Sequence, residues 1–294
     1  MLTLGITLAL LALFSWGFGD FFIQRTTRAI GIPRALFFIG FVALIVLFPF
    51  VQNDLPKLFG NPSNLLLLII VSVIVFLAAI ADFEALKIGK LAIIDPIVGL
   101  ELPITIGISI VLWHETLTST QIFLTLAIFA GIMLAITEHH THLHYHKRIF
   151  EKGVVYAGLA AVGMALVNFL IGVASQKISP LVTIWFTHGF LFLLCGAYLV
   201  AKGELKRIVT DLKKSGWIIA AQSIFDNAAW IFYAFATTYI PISIAIAVSE
   251  SYIALAVLLG VFANREKLKW HQYLGIVLAT IGVISLSLIT EQTP

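Results

Sequence analysis

Ten apolar stretches, each about as long as a bilayer core is thick, follow one another along the chain. They run over 2–22, 34–51, 65–85, 91–112, 120–137, 153–174, 181–201, 216–238, 241–262 and 271–289. A helix needs about 20 mostly apolar residues to cross the hydrocarbon core. Backbone in lipid must satisfy its own polar groups, so runs of this length select helices. The loops between them are short and carry the breakers Asn61-Pro62, Ser179-Pro180 and Ile240-Pro241. Of 294 residues, 60% are hydrophobic and 11% charged, against about 25% charged in a soluble domain. No soluble fold of this length hides so much apolar surface. The expected class is an all-α polytopic membrane protein with no separate soluble domain. The first stretch lacks a basic start and a small-x-small cleavage site, so it reads as a span rather than a signal peptide.

The basic residues set an orientation. Of 18 Lys and Arg, 16 lie in the loops after the first, third, fifth, seventh and ninth stretches, and the other side holds only Lys57 and Lys177. The excess of basic residues marks the cytoplasmic side. Both termini are then expected outside the cell membrane (the inner membrane of a Gram-negative cell). Cysteine occurs once, at Cys195, which excludes an intramolecular disulfide and a Cys-based zinc site.

The two halves of the chain resemble each other. From Val111 the sequence reads VLWHETLTSTQIFLTLAIFAGIMLAI, and from Phe262 it reads FANREKLKWHQYLGIVLATIGVISLS. Glu115 falls on Glu266, Leu117 on Leu268, Gln121 on Gln272 and Gly131 on Gly282, at a constant offset of 151. Five helices per repeat force the second copy to enter from the opposite side. The expectation is therefore ten transmembrane helices in two inverted five-helix repeats. Residues 1–137 form the first, 138–152 a His-rich cytoplasmic linker and 153–294 the second. Inverted repeats are the mark of alternating-access transporters, whose site lies near the midplane between the repeats.

These segments also carry a family resemblance that spans essentially the whole chain. Trp16-Gly17, Ala85-Leu86 with Ala92 to Pro96 and on to Glu115, and the run AFATTYIPISIAIAVSESYIALAVLLGVFANREKL ending near Glu266, with Gln272 and Gly275, resemble EamA-type members of the drug/metabolite transporter superfamily. The resemblance implies a cavity lined by the first four helices of each repeat, with the fifth and tenth peripheral. It also implies a small metabolite, amino acid or drug as cargo. Gln24 stands where a basic residue is frequent, the second helix lacks its usual Arg, and Asp95, Glu101 and Asp226 lie outside the general pattern. The substrate is therefore not carried over from the family.

Three acids sit near the middle of their stretches: Glu101, Asp226 and Glu250. An ionisable group at that depth costs about 2.5–3.5 kcal/mol on insertion scales and by default marks function. At helical spacing Glu101 shares a face with Thr105 and Ser109, Asp226 with Ser223, Trp230 and Tyr233, and Glu250 with Ser243. With no Lys or Arg at that depth, at least one of these acids is expected to hold a proton at neutral pH and to release it when a cation arrives. Structural acids bonded to a neighbouring helix are the competing reading. Trp230 and Tyr233 offer ring faces to an ammonium group, or belong to an interfacial aromatic belt. Pro103 frees the carbonyl of Gly99 beside Glu101, and Pro96 lies in the same stretch. Asp20, Asp82, Glu84 and Asp95, with Arg25, Lys87 and Lys90 nearby, read as an inner gate or as interfacial solvation. His188 and Asn168 are either substrate ligands or interhelical hydrogen-bonders.

Five of the eight histidines crowd into EHHTHLHYHKR, at 139, 140, 142, 144 and 146. On a helix His140/His144 and His142/His146 would be spaced for zinc. As a cytoplasmic bridge between repeats, the run reads first as a solvated linker, and second as a weak metal or pH sensor. The expected function is secondary transport of a small cationic or zwitterionic amine or amino acid, proton-coupled through Glu101, Glu250 or Asp226. The alternatives are a divalent-metal transporter and a non-transporting membrane interaction protein. No nucleotide-binding loop is present. No enzyme activity, cofactor, resident metal or nucleic-acid partner is expected; the partners are the substrate, protons, the bilayer and, for a dimer, a second copy.

Overall fold

A computed structural model of the protein describes residues 2–88, 97–136, 147–255 and 268–292, and these are helical with no strand among them. The helices are α1 (Leu2–Ile30), α2 (Ile32–Val51), the short α3 (Leu55–Phe59), α4 (Pro62–Ile88) and α5 (Glu101–Trp113). They continue with α6 (Ser119–Ile136), α7 (Lys147–Lys177), α8 (Pro180–Ala201), α9 (Arg207–Ala236), α10 (Ile242–Ser249) and α11 (Trp270–Gln292). Pro62 and Pro180 open their helices, and Pro241 caps α10. A proline costs nothing there, because the first-turn N–H has no partner within the helix. Gly31, at φ 86°, makes the one-residue turn between α1 and α2, a conformation that disfavours any Cβ.

Eight of these helices are long and apolar enough to cross a membrane, and two more, Glu101–Trp113 and Ile242–Leu255, are apolar but shorter. The predicted stretches 91–112 and 241–262 are thus not seen as continuous spans. Residues 89–96 and 256–267 lie outside the described part, and the described parts are interrupted near the middle. The predicted span 216–238 also changes: α9 starts at Arg207 and bends at Ser215, whose φ of −132° and ψ of 19° are not helical. The piece before the bend holds Arg207, Lys213 and Lys214, charges that keep it out of the hydrocarbon. The short α3, absent from the sequence reading, fills the loop after α2.

Helix pairing follows the repeat. α1 packs on α9 and α4 on α7, while α2 packs on α8 and α6 on α11. Exchanging the halves turns the first pair into the second and each of the last two into itself. That is the pattern a two-fold relation between the repeats requires. Large apolar side chains such as Phe14, Phe50, Phe123 and Leu288 stay exposed on the outside, where lipid rather than water is the natural neighbour. With apolar surface on both sides, little hydrophobic drive holds the helices together, and close backbone contact takes its place. At the α6–α11 crossing Gly131 and Gly275 face each other. A Cβ on Gly275 would lie 2.5 Å from Ala135 N and from Gly131 O, and one on Gly131 would lie 2.6 Å from Ala279 N.

Candidate functional site

The interruptions in the fourth and ninth stretches fall at equivalent places. Turns at Gly99–Leu100 precede α5, and turns at Glu250–Ser251 follow α10, positions related by the same offset of 151. Around each, i to i−3 bonds replace the helical ladder. The N–H groups of Leu100 and Leu102 donate to Ile97 O and Gly99 O at 3.2 and 3.4 Å, and those of Ser251 and Ile253 to Val248 O and Glu250 O at 3.3 and 3.2 Å. The Ser251 hydroxyl donates to the Ala247 carbonyl at 2.9 Å. Tightened turns inside a helix are typical of working sites, and matching breaks in two repeats point to a binding site between them. Pro103 therefore makes no mid-helix kink: it lies in the first turn of α5, and the break comes just before it.

Each break carries an acid. Glu101 is the first residue of α5 and Glu250 caps α10. They are 5% and 4% exposed, and their carboxyls lie within reach of each other. Two carboxyls so placed can share one proton in a hydrogen bond. The second oxygen of each, Oε2, is buried without a partner among the described residues. Asp20 and Asp82, half-buried, lie within electrostatic reach of both glutamates. Asp20 is also close to Asp226, itself 9% exposed. The acids read in the sequence as a midplane group and an inner-gate group thus converge, at least through Asp20 and Asp82, on one interior. Glu84 is half-buried on α4, and Asp95 lies outside the described residues.

An aromatic cluster covers the acids. Trp16 of α1 meets Trp230 edge-to-face at 5.1 Å, Tyr233 at 5.7 Å and Tyr252 at 6.0 Å between ring centroids. Tyr233 is fully buried and donates its hydroxyl to the Asn168 carbonyl at 2.9 Å, so it is no belt residue in this arrangement. The Asn168 side chain is 1% exposed, and its amide N and O have no partner among the described residues.

His188 is built into the scaffold. Its Nδ1 lies 2.8 Å from Asn227 Oδ1, and Asn227 Nδ2 donates to the carbonyls of Ile39 and Ser223. The amide nitrogen being the donor, its oxygen must accept, so Nδ1 of His188 carries the proton. This chain ties α8 and α9 to α2, and Gln222 adds a bond to Ala35 O. The ring stands 6.5 Å from Trp230, at the edge of the aromatic cluster. Near the predicted inner end, the Arg25 guanidinium lies over the Phe21 ring at 4.0 Å. An ion pair there joins Arg34 to Asp211 at 3.0 Å, a link across 177 residues that no local spacing announces.

Tyr252 and Asn227 have places here that the residue-by-residue reading does not single out, and Trp16 enters that reading only through the family resemblance. The offset of 151 places Tyr252 on Glu101, the one sequence signal for it. Among the described residues no three of His, Cys, Asp and Glu converge on a metal-sized site. The histidine run 139–146 lies outside the described residues.

Two stretches, residues 3–137 and 151–288, each match the family described as the EamA-like transporter family. No protein of curated function matches the chain. Of 28 solved chains that do match, one described as "Crystal structure of protein" superposes with a TM-score of 0.77 at 13% identity, covering 98% of this chain and 98% of its own length. At that identity the likeness speaks for the fold alone.

Proposed function

This chain belongs to the EamA-like transporter family, whose members move small solutes across membranes, and we propose that its cargo is a small cationic or zwitterionic amine or amino acid exchanged for protons. One observation carries this reading. Glu101 and Glu250 meet at the two helix breaks, and the charges acting on them among the described residues are those of acids, Asp20 and Asp82 included. Such an interior repels anions and attracts cations. The ring faces of Trp16 and Trp230 beside it favour an organic ammonium over a hydrated metal ion.

In this mechanism the two repeats rock against each other about the acids, which face one side of the membrane and then the other. The proton held between Glu101 and Glu250 leaves when the ammonium enters, so the interior is never left with an added uncompensated charge. The 16-to-2 distribution of basic residues supports the orientation with termini outside and the histidine loop inside.

The test is a thermal-shift screen of the purified protein against amines, amino acids, sugars, phosphates and divalent metals, followed by substrate-driven proton flux in proteoliposomes. Stabilisation by amines or amino acids, with proton flux in the opposite direction, is the expected result. Stabilisation confined to divalent metals or to anions would sink the reading.

A further inference from the structure

The acids of this interior form two pairs that are built differently. Glu101 and Glu250 face each other at the two breaks, placed to share one proton, and each keeps one oxygen, Oε2, without a partner among the described residues. Asp20 and Asp226 come from α1 and α9, which run antiparallel: Gly5 packs on Tyr239 and Ile240, Trp16 on Trp230, and Phe22 on Trp217. At this crossing Gly19 lies against Phe225 and the backbone N of Asp226, which brings Asp20 level with Asp226.

The two aspartates lie beside neutral donor groups. Asp226 lies beside the Trp230 indole, and Asp20 beside the Tyr252 hydroxyl. An indole N–H can only donate, and a carboxylate facing one such donor keeps most of its acceptor sites open. The donors belong to the ring cluster that roofs the pair. A further polar atom of the same face is unspent: Ser223 Oγ, one turn from Asp226 on α9, is fully buried without a partner among the described residues. Tyr233 in the roof donates to the backbone carbonyl of Asn168, whose side-chain amide has no partner among the described residues. A carboxylate pair and a hydroxyl beside ring faces make the surroundings an alkylammonium head group requires.

We propose that Asp20 and Asp226, roofed by Trp16 and Tyr252, seat the ammonium of the substrate, while the Glu101/Glu250 pair holds the exchanged proton. This assignment rests on the cation-exchange reading and deepens it. It makes Asp20 a substrate ligand rather than a gate residue, and it adds Trp16 and Tyr252 as specificity determinants. Charge balance follows: one ammonium enters and the one shared proton leaves, so a monovalent amine exchanges with a proton one for one. Among the described residues, the other titratable groups acting on these pairs are Asp82 of α4, Tyr233 of α9 and Tyr252 beyond α10.

Isothermal titration of the full-length protein in detergent with 2-phenylethylamine, in buffers of different ionisation heat at pH 7, reads affinity and proton release together. Wild type should release about one proton per amine bound. Asp20→Asn and Trp16→Leu should weaken binding about tenfold or more, with Asp20→Glu recovering part of the loss. Glu101→Gln and Glu250→Gln should keep measurable binding while proton release disappears. Each variant is taken forward when its gel-filtration profile matches wild type; Asp20→Glu and Trp16→Leu test the seat independently of Asp20→Asn. Wild-type affinity in Asp20→Asn, or proton release that persists in both glutamate variants, overturns the division of labour. A wild-type protein that binds no amine overturns the cation reading beneath it.

Discussion

Glu115, in the turn after α5, accepts hydrogen bonds from the Ser243 N–H at 2.9 Å and the Ser243 hydroxyl at 2.5 Å, and a third from the Ile242 N–H at 2.5 Å. One carboxylate thus caps the start of α10 from the other repeat, 128 residues away. His114, in the left-handed region at φ 53°, ends α5 and turns the chain so that Glu115 meets those donors. Nearby, Gln176 accepts from the Trp113 indole and donates to Thr237 O, tying α7 to the same end. A negative group at a helix N-terminus satisfies unpaired N–H groups and the helix dipole together. Glu115→Gln should cost about 1–2 kcal/mol, read as a lower unfolding temperature in detergent. An unchanged temperature would show that the cap is dispensable.

Neutralising the buried acids should separate coupling from carriage. In proteoliposomes, Glu101→Gln and Glu250→Gln should lose proton flux and the pH dependence of uptake between pH 5 and 8, while labelled-substrate exchange persists. An amide can fill the space and donate a hydrogen bond, but it never gives up a proton to become an anion. Asp226→Asn should lose both flux and exchange. If all three variants keep wild-type proton flux, the carboxyls are structural.

Replacing the five histidines of 139–146 with Ser and Asn at constant loop length should leave transport largely intact. The motive is their predicted cytoplasmic position between the repeats, away from the interior acids. Abolished transport at normal membrane level would instead revive a metal-binding role for the run.

Two glycines should respond in opposite directions. Gly275→Ala forces a methyl against the α6 backbone, 2.5 Å from Ala135 N, and should cost about 1–3 kcal/mol. Gly107 of α5 has nothing within 4 Å of the position a Cβ would take. Gly107→Ala should therefore gain up to about 1 kcal/mol of helix propensity. Thermal unfolding of the two variants beside wild type reads both signs.

What was legible in the sequence is what depends on position along the chain alone. Run lengths mark the spans, because bilayer thickness acts on each helix separately. The constant offset from Glu115–Glu266 to Gly131–Gly282 marks the repeat, since it needs no knowledge of contacts. Glu101, Asp226 and Glu250 stand out because a charge in an apolar run is conspicuous wherever the helix later packs. The tertiary structure alone decided that Glu101 meets Glu250, that Asp20 stands level with Asp226, and that Trp16 and Tyr252 join Trp230. It also decided that Arg34 reaches Asp211, and that the helices break at Gly99–Leu100 and Glu250–Ser251. The physical reason is the solvent. In water an apolar stripe announces the face that packs, but in lipid the outer face is as apolar as the inner one. Partner choice then rests on backbone approach at glycines and on a few buried polar groups, and these acquire meaning only once the helices are side by side.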